Sequence, residues 1–211
     1  LSPDETLHES SRGDILRTDD KAEGLRRVAW EMRNQNPILG ESSMPPFEEI
    51  VPRTLVSTVP DWQTFILWEE ALLEDVFRDS PELEKAAAKL LDSAKDKEEA
   101  LSRIHTFVMQ DIRYQQDYEN HIAGVKPHAA PVVLERMYGD CKDKTVLLIS
   151  LLKALGVEAH PALVNTEDRK RTASLPVSPS LFDHDRDNII PNLGGISTTT
   201  TSITMIFIPD K

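Results

Sequence analysis

The feature that most constrains this chain is the run from Thr145 to Leu155 (TVLLISLLKAL), which contains no proline and is closed by Gly156. A turn dipeptide, Gly139-Asp140, precedes it, and the polar segment Cys141-Lys142-Asp143-Lys144 leads in. Good helix formers fill most positions, and a glycine stands where a left-handed cap is needed, so both ends of a helix are written in the sequence. Val146, Leu147, Leu148, Ile149, Leu151, Leu152 and Leu155 cover most of its circumference. A helix with apolar residues nearly all round is the buried centre of a domain and not an amphipathic surface element.

Cys141, the only cysteine of the chain, falls in the first turn of that helix. There the unpaired backbone N–H groups and the positive end of the helix dipole favour an anion, which draws a thiol toward the nucleophilic thiolate. A free cysteine is also a small hydrophobe that often does nothing but pack. Its neighbours Asp140, Lys142, Asp143 and Lys144 are a poor setting for packing, yet position and polarity alone leave both readings open.

Global properties narrow the classes. With 211 residues the chain can hold one sizeable core, or one domain with an appendage. A formal charge of -12 argues against nucleic acid or an anionic membrane as partner, since both demand basic patches. A single cysteine excludes an internal disulfide and leaves the redox compartment unmarked. No apolar run approaches the ~20 residues of a membrane span. The chain begins at Leu1 rather than Met, so the signal peptide of an exported parent is not expected in it.

Residues 1–23 are polar and charged and read as a loose leader. Leu25 to Met32 and Ile50 to Val59 suit strands, Pro52 favouring an edge position. Asp61 caps a helix in which Phe65, Ile66, Trp68, Leu72, Leu73 and Phe77 recur at helical spacing and are expected in the core. Ser80-Pro81 starts the next helix, to Leu91, and a third runs from Lys97 to Ile112. His105 lies near its apolar stripe and reads as a packed or surface histidine. Residues 116–131 mix Gly, Pro and aromatics and read as a substrate-facing loop. Past Gly156, residues 157–164 form a short strand.

Other chemistries find little footing. Asp183, Asp185 and Asp187 imitate the opening of a calcium loop, but Asn188 and Gly194 stand where Gly and Glu are needed. The histidines at 121, 128, 160 and 184 lack zinc-site spacing, and there is no Gly-x-Ser-x-Gly elbow or phosphate loop. No metal and no cofactor is expected. The nucleophile is Cys141 or there is none.

The segment Tyr138-Gly139-Asp140-Cys141-Lys142-Asp143-Lys144, with the leucines after it and Gly156-Val157-Glu158-Ala159 and Pro161 to Val164 beyond, resembles the nucleophile segment of the transglutaminase-like superfamily. It is most similar to the bacterial branch that carries a DUF3857 region ahead of the core. Upstream, Ile112-Arg113-Tyr114, Lys126-Pro127 and Ala130 to Leu134 keep that order, and the resemblance spans roughly residues 45–190. It implies an α+β fold with a papain-like core, the nucleophile helix packed on a small antiparallel sheet. Residues 1–60 would be the leader and remnant strands of a DUF3857-like β region, and residues 61–211 the core.

The resemblance also implies roles. Phe182-Asp183-His184 matches the triplet that ends in the family's catalytic histidine, making His184 the general base for Cys141. The third member, an acid orienting the imidazole, is expected on a later strand; Asp210 is the candidate, with Asp183 and Asp187 as alternatives. Residues 185–188 depart from the apolar strand that usually follows the histidine. Tyr114 is a candidate oxyanion donor, Lys142 and Lys144 are expected to support a thiolate, and Asp140 and Asp143 to shape the turn and cap the helix. The implied activity is attack by Cys141 on a peptide or glutamine-type amide of a protein or peptide substrate through a thioester, with hydrolysis favoured over transamidation because nothing marks a lysine groove. The alternative is an inactive binding or assembly module on the same scaffold. A periplasmic or envelope location follows from the resemblance alone.

Overall fold

The computed structural model describes residues 1–45, 47–116, 124–164, 175–182, 184–185 and 206–207. The chain divides into two compact units, Leu1–Trp68 with 165–181, and Glu69–Val164 with 182–211.

In the first unit, β1 (His8–Arg12) pairs antiparallel with β4 (Arg53–Ser57), and β2 (Leu16–Ala22) pairs with β3 (Leu25–Glu31). A short helix, α1 (Phe47–Ile50), precedes β4, and α2 (Trp62–Leu73), of which residues 62–68 belong to this unit, follows it. Two of these strands lie in the stretch that reads as a loose leader. Their residues are almost wholly exposed, so no apolar alternation betrays them. Charge and hydrogen bonds across the strands do the holding: Arg26 donates to both oxygens of Asp19, Arg17 pairs with Glu9 and Asp19, and the Trp30 indole donates to Glu9. The Arg26 guanidinium, helped by Arg17, keeps the Asp19 carboxyl far below the usual carboxylate range. Exposed pairs of this kind contribute little to stability singly.

Asp61 caps α2 as expected, its Oδ1 accepting from Thr64 N at 2.7 Å. Phe65 is buried, and the rings of Trp62 and Trp68 pack on it at 5.8 Å. Ile66 and Trp68 do not join the core: each is 44% exposed. At ~3.6 residues per turn they flank the Phe65 line instead of continuing it.

The second unit carries the main core. Ser80 caps α3 (Pro81–Leu91), with Pro81 in its first turn, and Asp96 caps α4 (Lys97–Thr106). The predicted single helix from Lys97 to Ile112 changes register, ending in a π-helical turn at Phe107–Asp111. Next come β5 (Arg113–Tyr114), α5 (Ala130–Arg136), β6 (Tyr138–Gly139) and α6 (Cys141–Ala154). The chain closes with β7 (His160–Pro161), β8 (Leu163–Val164), β9 (His184–Asp185) and β10 (Ile206–Phe207). Among the described residues the sheets are two-stranded: β5 runs parallel to β6, while β8–β9 and β7–β10 are antiparallel.

The long apolar run is the centre of this unit. α6 touches α3, α4, α5, β7 and β9, and Leu147, Leu148, Leu151 and Leu152 are all fully buried. Burial of one such side chain stabilises by about 1.5–3 kcal/mol before the entropy of ordering it is counted. At the far end Gly156 adopts φ +67, and the N–H groups of Gly156 and Val157 bond back to the carbonyls of Lys153 and Leu152 at 3.0 Å. That pair of bonds is the Schellman closure that the glycine was expected to supply. Among the described residues no helix is long and apolar enough to cross a membrane.

Candidate functional site

The site grows from the turn that delivers the chain into α6. α5 ends at Met137 in the left-handed region, φ 56, which swings the backbone into β6. β6 is held by β5: Arg113 N donates to Met137 O at 2.9 Å and Gln115 N to Gly139 O at 3.0 Å. The guanidinium groups of Arg113 and Arg136 both lie within 6 Å of the Tyr138 ring centre, at 5.6 and 5.9 Å. Gly139 therefore arrives in a fixed place, two residues ahead of the thiol.

Asp140 is the N-cap and Cys141 the first helical residue. Asp140 and Asp143 close a reciprocal capping box: Asp143 N donates to Asp140 Oδ1 at 3.4 Å and Asp140 N to Asp143 Oδ2 at 3.2 Å. The expected capping role of both acids is met. Thr145 Oγ1 donates to the Cys141 carbonyl at 2.9 Å, and Cys141 itself is partly exposed. A first-turn thiol with access to solvent is where reactive cysteines are found.

Less expected is the depth at which the charged residues lie. Asp140, Lys142, Asp143 and Lys144 are all at least nine-tenths buried, so each needs a partner. Lys142 Nζ is paired with Asp140 Oδ2. Burial pushes the Asp140 carboxyl above its ordinary value, and the lysine pulls it partly back. Lys144 Nζ donates to the carbonyls of Ile112 at 3.0 Å and Met109 at 3.3 Å, tying the end of the π turn to α6. The two lysines expected to support a thiolate thus have structural engagements of their own. On α4, His105 has its imidazole pushed toward the neutral form by burial and by the charge of Lys144.

Asp143 also receives His128 N at 2.7 Å, and His128 Nδ1 stands 3.2 Å from both of its oxygens. His128 Nε2 is 3.3 Å from Arg136 Nη1. Sequence spacing did not single out this cluster, because a lone histidine in a loop carries no motif. The signal that could have found it is the pair of acids flanking Cys141, each too deep to remain without a donor.

The other predicted residues are placed as follows. His184 opens β9, its backbone paired with Val164 on β8, and β9 lies against α6. Tyr114 sits on β5 opposite Gly139 and is 41% exposed, not buried. Asp210, Asp183 and Asp187 lie outside the described residues, as do residues 117–123 of the expected substrate loop, whose last two residues, Ala130 and Pro131, begin α5. A small depression beside the first turns of α6 is lined by Leu72, Leu73, Val125, Pro127 and Val146 together with the polar Glu69, Lys142 and Thr145.

A family model of the transglutaminase-like superfamily core matches residues 84–189, just over half of the chain. No curated protein matches significantly. A crystal structure of a Parabacteroides distasonis protein, provisionally described as a protease, has a TM-score of 0.61 and 20% identity, covering 78% of this chain and 32% of that one. This chain spans about a third of that protein's length, and the likeness is one of fold.

Proposed function

Because this chain belongs to the transglutaminase-like superfamily, we propose that it is a thiol-dependent hydrolase or acyl transferase acting on peptide or glutamine-type amides, with hydrolysis as its reaction. The observation that carries this reading is the position of Cys141, first residue of a buried, reciprocally capped helix, with the backbone of His184 on a strand against that helix.

In this reading His184 takes the Cys141 proton and the thiolate attacks the amide carbon. Negative charge develops on the carbonyl oxygen, where the Cys141 backbone N–H at the helix start and a side-chain donor from β5, Tyr114, would receive it. The C–N bond then breaks, His184 returns the proton to the departing amine, and a thioester remains on Cys141. Water, deprotonated by His184, cleaves the thioester and regenerates the thiol. Asp210 is proposed to orient the imidazole, with Asp183 and Asp187 as alternatives. Residues 61–211 form the catalytic core of this reading, and residues 1–60 an accessory β region.

The test is incubation of the chain with a capped peptide pool, with and without an added alkylamine, read by mass spectrometry. New termini or glutamine-to-glutamate conversion, absent in Cys141→Ala, are expected. Products carrying the alkylamine as the dominant species would reverse the preference for water. No product in any arm would favour a non-catalytic binding or assembly module.

A further inference from the structure

We propose that His128 is a positioning residue for the nucleophile: by gripping Asp143 it fixes the first turn of α6, and with it the backbone N–H and thiol of Cys141. The inference rests on the reading of Cys141 as nucleophile.

Asp143 is 1% exposed and holds two parts of the chain together. From the loop ahead of α5 it receives the His128 N–H and faces the His128 ring; from the start of α6 it receives the Asp140 N–H. Cys141 stands between the two acids of the capping box, so a rotation of the Asp143 carboxylate would release the backbone on its N-terminal side. The His128 ring is wedged between opposite charges. Its Nδ1 is equidistant from both carboxylate oxygens, which assigns the proton to Nδ1; its Nε2 meets the Arg136 guanidinium, a donor, and so acts as acceptor.

This arrangement separates His128 from a catalytic base. An imidazole beside a carboxylate, close in sequence to a cysteine, resembles a base and its orienter. Here the nitrogen that would accept a proton is turned to Arg136, and the carboxylate belongs to the nucleophile's own helix. The negative charge of Asp143, two residues from the thiol, is meanwhile shared among His128 N–H, His128 Nδ1 and Asp140 N–H, which limits its repulsion of a developing thiolate.

The experiment compares His128→Leu, which removes the Nδ1 donor, with His128→Asn, whose amide offers an N–H near the same place, in the full chain. Iodoacetamide alkylation of Cys141 across pH and hydrogen exchange of the amides at 140–145 are read alongside thermal melts. For His128→Leu the expected result is ~10-fold faster exchange and ~10-fold slower alkylation at about pH 6, as for loss of one buried partner. His128→Asn should stay within about threefold of the parent, its replacement donor restoring most of the bond. If His128→Leu does not melt cooperatively, His128→Gln, whose amide reaches toward the Nε2 side, is expected to show the same losses. A fast parent thiol indifferent to His128→Leu, or to His128→Gln, overturns this inference alone, as does His128→Asn impaired as severely as His128→Leu. A parent thiol with an ordinary pH profile overturns the nucleophile reading and this inference with it.

Discussion

Asp143 lies so close beneath Gly139 that a Cβ at position 139 would stand 2.5 Å from Asp143 Cβ and 2.9 Å from its Oδ2. The glycine ahead of the nucleophile is therefore a matter of space: without a side chain at 139, the acid that caps α6 can pack against the strand that delivers it. Gly139→Ala forces one of them to move. The substitution is expected to cost about 1–3 kcal/mol, the usual range for overpacking a tight site. Chemical denaturation should show a lower midpoint, with alkylation of Cys141 slowed in parallel.

Asp140 and Lys142 form a buried ion pair on either side of Cys141. Asp140→Asn keeps a capping oxygen but leaves the Lys142 ammonium without its counter-charge, and breaking a buried pair in this way costs ~3–5 kcal/mol. The double variant Asp140→Asn/Lys142→Met removes both charges and should regain most of that loss. Urea midpoints for the two variants check this, and equal destabilisation in both would refute the pairing.

Lys144 and His105 are coupled through the α4–α6 contact. The imidazole of His105 is held below its ordinary value of 6.5, first by burial and then by the Lys144 charge. Its depressed value means that the folded chain binds fewer protons than the unfolded chain as pH falls below about 6.5, so stability declines through that window and is full above it. His105→Gln should flatten the decline in melting temperature between about pH 6.5 and pH 5. Lys144→Met should raise the His105 value, seen by NMR titration. It should also cost ~1.5–3 kcal/mol from the lost bonds to the Ile112 and Met109 carbonyls.

How much of this was legible depends on what each residue announces. The buried helix from Cys141, its cap at Asp140 and its closure at Gly156 could be read directly, because helix ends are fixed by local chemistry: an acid that accepts N–H bonds, and a residue free to take positive φ. Ser80-Pro81 and Asp61 announced the starts of α3 and α2 for the same reason. The strands at His8–Arg12 and Leu16–Ala22 were not legible, since they are held by cross-strand charge and backbone pairing and bury almost no apolar surface. Ile66 and Trp68 are apolar and near helical spacing yet flank the buried line of α2, a difference that apolar character alone does not announce. Within the candidate site, Cys141 and His184 are the pair that the sequence offers as nucleophile and base, whereas the engagement of His128 with Asp143 joins residues fifteen apart. Such a contact depends on how a loop is packed, and loop packing leaves no period in a sequence.

The most direct measurement is the rate of Cys141 alkylation by iodoacetamide against pH, in the intact chain and in His184→Ala. The expected result is a thiol that remains reactive well below the ~8.5 of an ordinary cysteine, with that reactivity lost when the histidine is removed. Slow labelling with an ordinary profile, unchanged in His184→Ala, would contradict the claim that the two residues form a nucleophile and its base.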